Sequence, residues 1–176
     1  FAQREQLRQR AVGMLARYYR FEHTRQSGRV PTAIEEPFTA AYGSHSFTGR
    51  IDLAVTDRLG EDEIIDFKTG RKANLEAAPE SLQLYLYDHA WRSRREDSHP
   101  KVSFYALRQE ADKGFQLGGD WEESQVSGVQ HTDETALSIR ARIDGLLAGI
   151  LANDFTPRPS DAACNYCRFR WLCPEG

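Results

Sequence analysis

No stretch of the 176 residues approaches the roughly 20 consecutive apolar positions needed to span a bilayer. The opening segment, FAQREQLRQR, lacks the pattern of a secretory signal, so a cytoplasmic protein is expected. Cysteine is scarce: there are three, an odd number, all within ten residues of one another, which argues against a disulfide framework. Repeats and low-complexity tracts are absent. With 40 % hydrophobic and 11 % aromatic positions, the composition excludes a disordered, collagenous or coiled-coil chain. Neither sign of charge dominates, the formal net charge being −3, so overall charge does not point to a polyanionic partner. These absences leave one globular domain, large enough to bury a core.

The distribution of charge says more than its sum. Residues 1–29 hold seven arginines (Arg4, Arg8, Arg10, Arg17, Arg20, Arg25, Arg29) against Glu5 and Glu22. Charge alone leaves a solvated helix face and a phosphate-tracking surface equally open. Leu7, Ala11, Met14, Tyr18 and Phe21 recur at helical spacing, predicting a helix over 3–21. No initiator methionine and no capping residue precedes it, from which we expect a chain cut from something larger.

Strands are expected over 34–41, 47–57, 62–67 and 101–107, with a further short one over 114–121. Turn signals at Tyr42-Gly43-Ser44 and Arg58-Leu59-Gly60 separate the first three. Helices are expected over 76–92, with Leu82, Leu86 and Ala90 on one stripe, and over 133–151, through Ala136, Ile139, Ile143, Leu146 and Ile150. Strands mixed with packing helices make an α/β or α+β domain. Its expected parts are a basic helix (1–29), a core (34–107), a packing helix (133–153), and a proline loop with the cysteines (154–176). Trp91, Trp121 and Trp171 are expected as core or platform aromatics, and His45, His89, His99 and His131 at the surface or behind a site.

Two patterns carry chemistry. Gly49-Arg50-Ile51-Asp52 lies in one predicted strand, and Ile64-Ile65-Asp66-Phe67-Lys68-Thr69-Gly70 ends the next. If those strands pair, Asp52 and Asp66 project towards one point, where two carboxylates call for a cation, and hard oxygens suit Mg²⁺ or Mn²⁺. Asp66 and Lys68, two apart, leave the same strand face, which sets an ammonium beside the metal; the Phe67 carbonyl adds an oxygen. The second pattern is Cys164-x-x-Cys167 with Cys173 beyond it. Two thiolates at that spacing converge on one metal and a third folds back, but zinc and iron–sulfur sites take four ligands and no histidine lies near. A metal site short of one ligand and a set of buried apolar cysteines are the two readings; the first is preferred.

Residues 34–87 resemble the RecB/AddB-type branch of the PD-(D/E)XK nuclease superfamily. They do so in the order I-E-E-P-F (34–38), G-R-I-D (49–52), I-I-D-F-K-T-G (64–70) and the helical pair Gln83-x-x-x-Tyr87. The C-terminal cysteines after Phe155-x-Pro-x-Pro resemble the iron–sulfur staple of AddB-type and CRISPR-adaptation nucleases, extending the likeness to residue 173. The resemblance implies a restriction-endonuclease-like α/β core, a mixed central sheet flanked by helices with a C-terminal cysteine staple. It implies that Asp52, Asp66 and the Phe67 carbonyl bind Mg²⁺ or Mn²⁺, and that Lys68 acts at the nucleophilic water. Gln83 and Tyr87 would support the site or touch the DNA backbone, and Glu35 would have a structural or orienting role rather than bind the metal. Arg50, Arg71 and Lys72 are the candidate DNA contacts. Cys164, Cys167 and Cys173 would hold a [4Fe-4S] cluster in preference to Zn²⁺.

Two features of that family are missing: its metal-binding histidine, in a Gly-x-x-x-His context on the first helix, and the first cluster cysteine. His23 lacks that context and takes no such role. Both gaps fall upstream of Phe1, as a cut chain would leave them, and such a fragment could lack the activity of its parent. The expected function is a metal-dependent DNA nuclease, an exonuclease within a helicase–nuclease for DNA ends and recombinational repair. The alternative is an inactive nuclease fold that binds or scaffolds DNA.

Overall fold

The computed structural model describes residues 2–24, 28–70, 75–108, 120–121, 125–157, 159–165 and 167–173. Helix α1 spans Ala2–Thr24; strands β1 (Val30–Tyr42), β2 (His45–Thr56) and β3 (Asp62–Lys68) follow. After a 3₁₀ turn, Leu75–Glu80, come helix α2 (Leu82–Arg92), strand β4 (Lys101–Ala106), strand β5 (Val126–Val129), helix α3 (Asp133–Leu151) and the short helix α4 (Asp161–Cys164). The sheet order is β1-β2-β3-β4-β5, antiparallel except for the parallel pair β3 and β4. A mixed sheet flanked by helices is the α/β, restriction-endonuclease-like architecture expected. No helix among the described residues is long and apolar enough to cross a membrane.

Alternation along the strands divides the core in two. Ile64 and Val102 pack with Leu84, Tyr87, Ala90 and Trp91 of α2, whereas Ile65 and Tyr105 pack with Phe21, Met14 and Tyr18 of α1. β3 is thus covered on both faces, which explains its unbroken apolar run. The chain divides into two compact units, residues 1–139 and 140–176.

Several expectations need correction. Residues 76–92 are not one helix: Pro79 ends the 3₁₀ turn, and Ser81, extended at φ −71° and ψ 118°, caps α2 by accepting the Leu84 amide. Leu84, Tyr85, Tyr87 and Trp91 are buried there with Ala90, while Leu82 and Leu86 are only half-buried. On α1 the apolar stripe begins late, with Leu7 and Ala11 exposed and Tyr18 and Phe21 carrying the contact. Two of the clustered arginines are structural. Arg17 is buried and donates to the Leu107 carbonyl (2.9 Å), and Arg29, half-buried as a residue, pairs its guanidinium with Glu22 and Glu63. The expected strand over 114–121 falls almost wholly outside the described residues, and the fifth strand is Val126–Val129. On α3, Ile139 is buried but Leu146 and Ile150 are exposed. Trp91 and Trp121 are core residues and Trp171 is not, being 80 % exposed. His131 is buried beside Asp88, its Nδ1 3.4 Å from that carboxylate.

Candidate active site

Along β3, Asp62, Ile64, Asp66 and Lys68 leave the face that α2 covers. Asp62 and Asp66, four residues apart on a strand, are ~13 Å apart in rise. Trp91 and Gln83, eight apart on a helix, are separated by ~12 Å. The lengths match and the helix runs against the strand. Trp91 Nε1 therefore donates to Asp62 Oδ2 (2.8 Å) at one end, and Gln83 Nε2 to Asp66 Oδ1 (2.6 Å) at the other. Two carboxylates pin α2 across β3.

Asp66 is the centre of the site and is 4 % exposed. Its Oδ1 also accepts the Tyr87 hydroxyl (3.4 Å). Its Oδ2 lies 2.6 Å from the Lys68 ammonium as an ion pair. Burial pushes the Asp66 carboxyl above the ordinary carboxylate value, the ammonium opposes, and the nearby charge of Asp52 pushes the same way as burial. Asp52 stands on β2 one step beyond the Leu53–Ile65 pair of the antiparallel ladder, and its Oδ2 accepts the Phe67 amide (2.9 Å). The two strands therefore bring both predicted acids together.

Gln83 and Tyr87 share a helix face at four-residue spacing. Gln83 Oε1 accepts from Lys68 Nζ (2.8 Å), and its Nε2 donates to the Tyr87 oxygen (3.0 Å) as well as to Asp66. Burial pushes the Tyr87 hydroxyl up to about 12, so it remains a neutral donor at physiological pH. Its ring stands edge-on to Phe38 (5.8 Å, 88°). Phe38 in turn lies across Gly49, where an added Cβ would come within 2.5 Å of the ring. Gly49 and Phe38 are ladder partners, so the G-R-I-D and E-E-P-F segments meet in packing that supports Tyr87.

Arg50 and Glu35 face one another at 3.7 Å on the exposed surface, and Glu35 takes the left-handed backbone (φ 48°) in mid-strand. Arg71 and Lys72 lie outside the described residues. His23 is exposed at the end of α1 and stacks on Tyr19 (6.0 Å). Cys164 ends α4, capped by Ser160; all three cysteines are free, and Cys167 is exposed. Among the described residues no three His, Cys, Asp or Glu side chains gather where they could hold a metal ion. The expected convergence of the three cysteines is thus not seen. Phe169, two residues beyond Cys167, is exposed.

A cation fits the Asp52–Asp66 pair better. Asp66 is a buried carboxyl that resists ionisation, with a second carboxylate, Asp52, close enough to raise it further; two such acids are the kind of donor pair a divalent ion satisfies. Two carboxylates and a main-chain oxygen leave the remaining positions to substrate and water, as Mg²⁺ and Mn²⁺ sites do. Three participants were not apparent from the sequence: the Ser81 cap, the Trp91–Asp62 bond, and Phe104, whose ring centroid lies 4.5 Å beneath Lys68 Nζ. The first had a signal in the Pro-x-Ser spacing; the other two depend on strand and helix register.

A family model described as the PD-(D/E)XK nuclease superfamily matches residues 2–174. The solved structure described as "Crystal structure of SSO0001" aligns with 93 % of this chain and 69 % of its own, at 16 % sequence identity and a TM-score of 0.45. No curated protein sequence matches the chain at a significant level.

Proposed function

The chain belongs to the PD-(D/E)XK nuclease superfamily, and from that membership we propose that it is a divalent-metal-dependent DNA nuclease, cutting at the end of β3. The observation that carries this reading is the buried Asp66 carboxyl, shared by Gln83, Tyr87 and Lys68, with Oδ2 against the Lys68 ammonium, where a cation would compete for it, and Asp52 beside it.

Asp52 and Asp66 would hold Mg²⁺ or Mn²⁺ with the Phe67 carbonyl. The bound ion supplies a Lewis acid for the scissile phosphate and lowers the pKa of its water. Gln83 and Tyr87 orient Asp66 by donating to Oδ1, leaving Oδ2 for the cation. Lys68, held by Gln83, presents its ammonium where a water can be positioned and where phosphate charge grows. Arg50, with Arg71 and Lys72, would steady the DNA backbone. The resemblance of the motifs extends the reading to an exonuclease acting at DNA ends beside a helicase domain or subunit. A [4Fe-4S] cluster on Cys164, Cys167 and Cys173 would need a fourth ligand and a closer gathering of the three thiols than the described residues show. Brown colour with stoichiometric iron in the purified full chain would support the cluster; a colourless, zinc-loaded protein would replace it with a zinc site.

The test is cleavage of linear DNA with Mn²⁺ by the full chain containing these residues, wild type against Lys68→Ala. Cleavage that disappears in the variant, with the fold retained, supports the nuclease. Salt-sensitive DNA binding without cleavage, unchanged by the substitution, overturns it in favour of an inactive DNA-binding module.

A further inference from the structure

We propose that Phe104 is a positioning residue for the Lys68 ammonium, giving it a hold that survives when Asp66 turns to a metal ion. This rests on the nuclease reading of the site. Among the described residues Lys68 Nζ has three partners: Asp66 Oδ2 at 2.6 Å, Gln83 Oε1 at 2.8 Å, and the face of the Phe104 ring at 4.5 Å from its centroid. A cation over an aromatic face within about 6 Å is attracted by the ring quadrupole.

The three holds respond differently to a divalent ion. Asp66 Oδ2 is the oxygen the ion would take, and an ammonium 2.6 Å from it would be both displaced and repelled. Gln83 Oε1 holds Lys68 by one hydrogen bond on an exposed side chain. The ring is neutral, so a metal ion at Asp66 does not compete for Lys68 through it. It is also fixed: Phe104 is 6 % exposed, packs in the core beneath α2, and sits on β4 in parallel register with Asp66. Alternation along β4 points it to the face from which Asp66 and Lys68 project. The height of the ammonium above the sheet is therefore set by a residue of the buried core.

A leucine at this position keeps apolar bulk and removes the quadrupole; a tyrosine keeps the ring. The experiment compares wild type, Phe104→Leu and Phe104→Tyr in the full chain, with ¹³C-labelled lysine and Lys68→Arg for assignment. The Lys68 ε-methylene protons should be shifted upfield by the ring in wild type, with and without Mg²⁺. The shift should vanish in Phe104→Leu and return in Phe104→Tyr. On linear DNA with Mg²⁺, Phe104→Leu should lower kcat about tenfold with KM for DNA unchanged, and Phe104→Tyr should recover most of the loss. A merely structural role would instead lower thermal stability without this split or rescue. Loss of the upfield shift on adding Mg²⁺ to wild type, or a wild-type kcat in Phe104→Leu, overturns the proposal. If wild type cuts no DNA while the shift persists with Mg²⁺ and depends on the ring, the hold of Phe104 on Lys68 stands and the nuclease reading alone fails.

Discussion

Trp91 donates its indole N–H to Asp62 over 2.8 Å, and that bond fixes the far end of the helix whose near end holds Asp66. Asp62 also accepts from Thr56 (2.6 Å) and Ser98 (2.9 Å), and Arg95 lies 3.3 Å away. The site is therefore supported from one helical length away, by a carboxylate with no part in the chemistry proposed for it.

Asp62→Ala should lower stability by ~2 kcal/mol, because it leaves the indole N–H buried without an acceptor. That corresponds to roughly 4–8 °C in Tm for a chain of this size. The effect should depend on pH. Burial alone would raise the Asp62 carboxyl, but its hydrogen bonds outweigh burial and hold it below the usual value. A lowered native pKa contributes stability above the unfolded value, lost as pH falls through the native one. Thermal unfolding at pH 7 and at pH 3 should show the gap between wild type and variant narrowing in acid.

Asp66 carries the opposite sign. Its carboxyl is raised in the folded state by burial, so ionising it costs folding free energy. Stability from this group is fully present below the ordinary carboxylate value and is lost as pH rises through the raised one. Asp66→Asn should therefore unfold at a higher temperature than wild type at pH 7, and the advantage should vanish in acid. Adding Mg²⁺ should raise the Tm of wild type and leave Asp66→Asn unmoved. A variant less stable than wild type at pH 7 would contradict the assignment.

The strands bearing these residues were legible because each ends at a turn signal and holds an apolar run, as in Ile64-Ile65 before Asp66. Two-residue spacing on a strand puts Asp66 and Lys68 on one face and four-residue spacing on a helix does the same for Gln83 and Tyr87, but Gln83 and Tyr87 were singled out by their resemblance to the nuclease motifs, and Asp52 meets Asp66 only through the pairing of β2 with β3. What stayed hidden depends on alignment between elements. Nothing local in K-V-S-F-Y-A-L places Phe104 beside Asp66; only the parallel register of β3 and β4 does. The burial of Arg17 was likewise invisible, since its acceptor is the carbonyl of Leu107, ninety residues away.

Gly49→Ala should be costly for a position on a strand. The new Cβ would meet the Phe38 ring at 2.5 Å, and Phe38 is buried between β2 and Tyr87. Overpacking of this kind costs roughly 1–3 kcal/mol. The displaced ring should also tilt Tyr87 away from Asp66, so DNA cleavage should fall along with Tm. Phe38→Leu in the Gly49→Ala background should restore part of the stability; if it restores none, the contact is not the cause.

Gln83 touches Asp66, Lys68 and Tyr87 at once, and its two functional atoms do different work. Nε2 donates to Asp66 Oδ1, which leaves Oδ2 beside the Lys68 ammonium; Oε1 accepts from that ammonium. Losing a residue that orients a metal-binding carboxylate costs about 10–100-fold in metal affinity. Gln83→Ala should therefore raise the Mg²⁺ concentration needed for half-maximal cleavage by about that factor, and saturating Mg²⁺ should recover only part of the rate, because Lys68 is also released. Gln83→Glu separates the two roles. The new carboxylate accepts from Lys68 but cannot donate to Asp66, and adds a like charge beside it. It should bind Mn²⁺ with altered affinity by calorimetry yet cleave less DNA than wild type at saturating metal, since Asp66 loses the Gln83 donor and keeps the longer Tyr87 one. Cleavage by Gln83→Glu equal to wild type at the same Mn²⁺ would mean that the Gln83 donor to Oδ1 is not what orients Asp66.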